Sequence, residues 1–342
     1  MMRTIHPNWR SSDAWLAYGL AAALLCASIS GCASTRATPP APTTHSPSAT
    51  ATALPTLAPS PTSGCGSPPP TVAGTSSTII IPTLPSISYG SITRMFRVHT
   101  PVHYRAGQRY PVVVVYHGYG GDARESEKDT GFSPFADQQG IVAVYPQGLD
   151  DTNGKPFWAS AGPIDLGIDE LPFANDMLNT VQSRYCVDPG RVYVTGFSNG
   201  GGMANYLACH MAERVAAAVP ISGNYYFSAN CHPARPISIL EVHGVADDVV
   251  PYAGDPPKPG LWHLPPVTEW LQGWAKRDGC TTGPETFWRA ADVTALRWTN
   301  CQGNVTVMHY RMEHGGHAIP ATVGGQPFLP LMWQFFLAHP RG

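Results

Sequence analysis

Three residues in this chain combine the types and surroundings needed for nucleophilic catalysis: Ser198, Asp247 and His317. Ser198 sits in Gly196-Phe197-Ser198-Asn199-Gly200, directly after the β-branched run Val192-Tyr193-Val194-Thr195 and before the helix-permissive segment Met203–Ala208. A strand that ends in Gly-x-Ser-x-Gly and opens into a helix makes a tight, strained turn. The turn lifts the serine hydroxyl above the sheet edge. A serine alcohol is a weak nucleophile and needs a base and an oxyanion hole beside it.

The acid and base are expected on two later loops. The apolar run Ile237–Val242 leads into His243-Gly244-Val245-Ala246-Asp247-Asp248, where Asp247 is placed to orient a histidine and Asp248 is the neighbouring alternative. Val305–Met312 reads as a strand leading into Glu313-His314-Gly315-Gly316-His317. The glycines let that loop project the His317 imidazole, with His314 as the alternative base. A His-x-x-His pair also suits a metal, but no further ligands lie at metal-site spacing, so no metal and no cofactor is expected.

An oxyanion hole needs two backbone N–H groups. One is that of Asn199, directly after the nucleophile. The second is expected after the buried strand Pro111–Tyr116, in His117-Gly118-Tyr119-Gly120-Gly121. Tyr119 is the first choice there, with Gly118 and Gly120 as alternatives. The His117 ring reads as a brace for this loop. The order Ser198, Asp247, His317 along the chain is the one expected of α/β-hydrolases.

The positioning elements follow from the hydrophobic pattern. Strands are expected at Ser91–Thr100, Val112–Tyr116, Ile141–Tyr145, Val192–Thr195, Ala216–Ile221, Ile237–Val242 and Val305–Met312. Helices are expected around Phe132–Gln139, Ile168–Tyr185, Val267–Arg277 and Leu331–Ala338, with a long loop at Pro146–Gly167. Alternating strands and helices imply an α/β fold: a mostly parallel central sheet with helices on both faces. Aromatics on loops at the catalytic end, Trp158, Tyr225 and Tyr226, are expected at the active-site mouth. There they would stack on an aryl or sugar group.

The 342 residues suffice for one large domain with appendages. A net charge of −2 with 13% charged residues supplies no basic stripe for nucleic acid. Arg3 and Arg10 precede the apolar run Ala14–Cys26, which ends in Ile29-Ser30-Gly31-Cys32. The run is short for a membrane span and reads as an export signal over residues 1–31. The end of the run resembles a bacterial lipobox, which makes Cys32 the lipidation site and a lipid anchor the expected membrane contact. The alternative is an ordinary secretory cleavage nearby. Residues 32–63 are then the lipidated cysteine and an Ala/Pro/Thr/Ser tether, too polar to fold, with a reach of roughly 100 Å in polyproline geometry. Residues 64–342 form the catalytic domain, expected to act as an exported monomer. Six cysteines remain there: Cys65, Cys186, Cys209, Cys231, Cys280 and Cys301. An even number in an oxidising compartment favours disulfides, and composition alone leaves every pairing open.

Several motifs together resemble the secreted esterases that include feruloyl esterases, acetyl xylan esterases and polyhydroxybutyrate depolymerase-like lipoproteins. They are Gly64-Cys65-Gly66, His117-Gly118, Tyr185-Cys186-Val187-Asp188, Gly196–Gly201, Leu207-Ala208-Cys209, His243–Asp247, Asp278-Gly279-Cys280 and Gly316-His317. The resemblance covers Cys65 to the C-terminus. It implies an α/β-hydrolase fold, a Ser198–Asp247–His317 triad without metal, and the pairs Cys65–Cys186, Cys209–Cys231 and Cys280–Cys301. The motifs do not specify the substrate beyond a small-molecule or oligosaccharide ester; the expected aromatics at the mouth put feruloyl esters first, with acetyl xylan, hydroxyalkanoate oligomers or acyl transfer to an envelope sugar as alternatives. One departure is Ala318-Ile319-Pro320, where depolymerase-like members often carry Trp before the proline.

Overall fold

The computed structural model describes residues 63–86, 90–159, 168–226, 231–256 and 263–342. The expected signal segment, Cys32 and nearly all of the tether lie outside the described residues. The strands are β1 (Thr75–Ser86), β2 (Gly90–Thr100), β3 (Tyr110–Tyr116), β4 (Val142–Pro146), β5 (Leu149–Asp150), β6 (Pro156–Phe157), β7 (Val187–Phe197), β8 (Ala217–Ile221), β9 (Ser238–Gly244), β10 (Thr282–Ala290), β11 (Val293–Thr299), β12 (Val307–Met312), β13 (Thr322–Val323) and β14 (Gln326–Pro327). The α-helices are α1 (Ala123–Thr130), α2 (Phe132–Gln139), α3 (Leu171–Arg184), α4 (Asn199–His210), α5 (Val267–Arg277) and α6 (Phe328–Ala338).

Ten strands form one sheet in the order β1-β2-β4-β3-β7-β8-β9-β12-β11-β10. The six strands from β4 to β12 in that order run parallel, and antiparallel strands close both edges. Every residue of β3, β4, β8 and β9 is buried. This is why these strands read as unbroken apolar runs rather than alternating ones. One face packs on α3, α4 and α5 through Val114, Val194, Met177, Leu207, Leu271 and Trp274. The other packs on α1, α2 and α6, where Phe336 stacks on Tyr193 with ring centroids 4.6 Å apart. The α/β-hydrolase reading of the sequence is therefore the fold observed.

Five elements differ from the sequence expectation. β1 carries Pro82 and Pro85, which demote it to an edge position. β10 and β11 form a half-exposed edge hairpin with weak apolar contrast. α1 is almost wholly polar (ARESEKDT) and rests on its cap: the Asp122 carboxylate accepts the Arg124 and Glu125 N–H groups, both at 2.7 Å. Helix α3 starts at Leu171 with Pro172 in its first turn, as the fixed φ of proline favours.

Disulfides join Cys65–Cys186, Cys209–Cys231 and Cys280–Cys301, the pairs that the family resemblance implies. Cys209–Cys231 ties the end of α4 to the segment beyond β8 and closes a separation of 22 residues. Removing it with paired alanines should cost about 3 kcal/mol, chiefly by freeing the unfolded chain. Urea unfolding of the variant checks this, and an unchanged midpoint would contradict it.

Candidate active site

Ser198 forms the junction of β7 and α4 with φ 56° and ψ −121°, a backbone conformation an L-residue rarely adopts. Its N–H donates to Ile221 O at 2.9 Å, which pins the turn to β8. The flanking glycines are required by close approach. A Cβ on Gly196 would lie 2.3 Å from Gly200 O, and one on Gly200 would lie 2.3 Å from Tyr116 O. Neither space admits a methyl group, so α4 can rise directly against the end of β3.

The first N–H groups of any helix lack intrahelical acceptors. In α4 that of Asn199 has no acceptor among the described residues. The Asn199 side chain is clamped from below: its Oδ1 accepts the Trp158 N–H at 2.7 Å and its Nδ2 donates to Trp158 O at 3.2 Å. On the facing loop, the Gly120 N–H donates to Pro156 O at 2.8 Å and the Gly121 N–H to Gly118 O at 3.1 Å. Gly120 is therefore occupied. The N–H groups of Gly118 and Tyr119 have no acceptor among the described residues. The Tyr119 ring is exposed, and its hydroxyl donates to Asp151 Oδ2 at 2.7 Å, which fastens this loop to the β5–β6 hairpin. The buried His117 ring holds the same loop. Its Nδ1–H donates to Gly118 O at 2.7 Å, and its Nε2 accepts the Gly148 N–H at 2.9 Å. Those partners require a neutral ring, and burial lowers its pKa in the same direction.

Asp247 is buried and Asp248 is exposed. Asp247 Oδ1 accepts the N–H groups of Val249 and Val250 at 3.0 and 2.8 Å, and Oδ2 accepts His317 Nδ1–H at 2.8 Å. Burial alone would raise the Asp247 pKa. Donation from His243, His317 and the Val250 N–H holds it well below the usual carboxylate range. His314 is exposed, whereas the His317 ring lies 4.6 Å, centroid to centroid, from the ring of Phe197, the residue before Ser198. Asp247 and His317 thus approach the nucleophile elbow from the loops after β9 and β12. A strained serine, a carboxylate-anchored imidazole and open backbone N–H groups are the parts of an acyl-transfer site.

Residues 98–252 match the Esterase PHB depolymerase family. The matched segment contains the elbow, the His117–Gly121 loop and Asp247. Among characterised proteins the chain is 30% identical over 233 residues to "Feruloyl esterase B" of Piromyces equi, covering 65% of this chain and 42% of that protein. It is 26% identical to "Probable feruloyl esterase C" of Aspergillus clavatus, covering 74% of this chain and 88% of that one. The bifunctional acetylxylan esterase/xylanase XynS20E of Neocallimastix patriciarum is also similar, at 26% identity, but the chain spans only 29% of its length. An acetyl xylan esterase from Aspergillus awamori shares the fold with a TM-score of 0.53 at 17% identity, covering 76% of this chain and 98% of that one.

Two of the aromatics expected at the mouth of this site are buried instead. Trp158 is fully enclosed: its Nε1–H donates to His117 O at 2.9 Å, and its ring meets Tyr116 edge-on at 4.9 Å. It is a wedge under the His117–Gly121 loop, not a rim residue. Tyr225 turns inward and stacks on Trp270 at 3.9 Å, with its hydroxyl donating to Glu241 Oε1 at 3.1 Å. Tyr226 is half-buried in a groove along α5 with Trp270, Pro265 and Glu269. Beside the elbow lies an apolar cavity of about 160 Å³. Gly118, Phe197 and Ile319, immediate neighbours of the three site loops, form part of its wall, and Phe132, Leu329 and Met332 close its far side.

The sequence reading also missed Asp151 and the buried charged cluster of Glu241, His243 and His309. The signal was present. Leu240-Glu241-Val242-His243 places two ionisable side chains in a strand buried on both faces, where they must find partners.

Proposed function

We propose that this chain is an exported carboxylic-ester hydrolase that works through an acyl-enzyme. The observation that carries the reading is the Asp247–His317 contact at 2.8 Å beside the strained Ser198 elbow. In the first step His317 Nε2 takes the Ser198 proton as Oγ attacks the ester carbonyl. Asp247 keeps the His317 proton on Nδ1 and stabilises the imidazolium that forms. The N–H groups of Asn199 and Tyr119 receive the oxyanion. The imidazolium then protonates the leaving alcohol, and water reverses the sequence to free the acid. Three disulfides support an oxidising compartment. In this reading residues 1–31 direct export, Cys32 carries lipid, and residues 32–63 tether the catalytic domain of residues 64–342.

For the substrate we infer a hydroxycinnamoyl ester such as a feruloylated oligosaccharide. Similarity to feruloyl esterases supports it. The cavity beside the elbow supports it too, because Ile319 stands in its wall where depolymerase-like relatives often carry Trp. The smaller side chain leaves room for a flat acyl group. Purified protein should show a higher kcat/KM on methyl ferulate than on hydroxybutyrate trimers. Faster cleavage of the trimers would replace this substrate with the hydroxyalkanoate alternative that the family match favours.

A further inference from the structure

Beside Asp247, a cluster of ionisable side chains gathers on β9, β12 and the loops after β8 and β9. His243 is at its centre. Its Nδ1 lies 2.9 Å from Glu241 Oε1, and its Nε2 lies 2.8 Å from Val250 O and 3.4 Å from Asp247 Oδ2. From β12, His309 Nδ1 lies 2.7 Å from Glu241 Oε2 and its Nε2 lies 3.0 Å from the Tyr252 hydroxyl. From the loop after β8, the Tyr225 hydroxyl reaches Glu241 Oε1. Arg311 and Glu313, further along β12 and its loop, pair with each other at 2.8 Å. The side chains of Glu241, His243, His309 and Asp247 in these pairs are wholly buried.

The protons in this cluster can be counted from its partners. The Gly223 N–H donates to Tyr225 Oη at 3.2 Å, so the tyrosine hydroxyl is free to donate to Glu241 Oε1. That carboxylate oxygen is then an acceptor, and the proton in its contact with His243 belongs to Nδ1. The other ring nitrogen faces a carbonyl and a carboxylate, neither of which can donate. Both nitrogens therefore need an N–H, and the ring that satisfies this is the imidazolium. Burial alone disfavours a charged ring, but the carboxylates of Glu241 and Asp247 and the Val250 carbonyl outweigh it and push the His243 pKa up to about 10. Burial likewise opposes charge on Glu241, and the two imidazoles beside it bring its pKa down to about 2.

We propose that His243, anchored by Glu241, is a positioning residue for the acid of the triad: a fixed buried cation that keeps Asp247 ionised and aimed at His317. It touches no substrate. It gives Asp247 Oδ2 a second polar neighbour at 3.4 Å, so a carboxylate that rotated away from His317 would also give up its attraction to the imidazolium. A cation there also disfavours uptake of a proton by the Asp247–His317 pair, which extends the active range toward acid. This inference rests on the acyl-transfer reading above.

Two measurements test it. In the unmodified protein, ring ¹⁵N shifts of His243 should show both nitrogens protonated at pH 8, where a free histidine is neutral. This needs no substrate and is independent of whether the esterase reading holds. A neutral tautomer at pH 8 overturns the proposal. In His243→Gln and Glu241→Gln, kcat should fall by about 10²-fold through loss of alignment, with KM little changed. In His243→Gln the acid limb of kcat/KM should also move up by about one pH unit, the size expected for one screened charge a few ångströms away. If both variants lose activity only in proportion to the fraction of protein that a fluorophosphonate still labels, with the acid limb of His243→Gln unmoved, the cluster is structural and the proposal fails.

Discussion

Ser198→Ala should lower kcat by about 10⁴- to 10⁶-fold while the protein remains folded. The loss is large because nucleophile and base act as a unit: without Oγ, the His317 imidazole has no proton to take. What remains comes from the oxyanion N–H groups and binding alone. Folding survives because the bond that pins the turn, Ser198 N–H to Ile221 O, is backbone to backbone. Alanine also keeps the same Cβ in the same conformation. Steady-state kinetics with circular dichroism check this, and a fluorophosphonate probe should label the parent protein at Ser198 and not the variant. A loss below about 10²-fold, or continued labelling, would place the nucleophile elsewhere; Ser222, buried at the end of β8, would be examined first.

Asp247→Asn should lower kcat by about 10⁴-fold, whereas Asp248→Asn stays within about twofold of the parent. The contrast follows from where the two carboxylates point. Asp247 Oδ1 is held by the Val249 and Val250 N–H groups, so an asparagine keeps its carbonyl there and turns its NH₂ toward His317. An amide donor facing Nδ1 forces the proton onto Nε2, and the base then presents a donor to the serine. Asp248 is exposed and has no part in this contact. A crippled Asp248→Asn beside a mild Asp247→Asn would reverse the assignment.

The parts of the site most legible in sequence were those where geometry allows few residue types. Gly196 and Gly200 mark the elbow because nothing larger fits there. The chain order of Ser198, Asp247 and His317 follows from strands whose buried faces leave long apolar runs. Edge elements were harder to see. β1, β10 and β11 are half-solvated and lack that contrast, and α1 is held by its Asp122 cap rather than an apolar stripe. Trp158 and Tyr225 show the limit most directly. A loop aromatic carries no sign of whether its ring points outward or inward. Both point inward because their polar atoms have buried partners, His117 O on the loop after β3 and Glu241 on β9. Glu241 and His243 were the readable clue: charge inside a buried strand implied a partner somewhere.

The backbone of Ser198 has a thermodynamic consequence for the chain as a whole. A serine held at positive φ costs of order 1–3 kcal/mol in the folded state and nothing in the unfolded one. Domains of this kind are stable by only about 5–15 kcal/mol, so the elbow draws on a sizeable share of the margin that the sheet and its disulfides provide. Selection for heat resistance alone would relax position 198 first. That the strained residue stands there is what a compromise between durability and turnover looks like at the level of a single torsion angle.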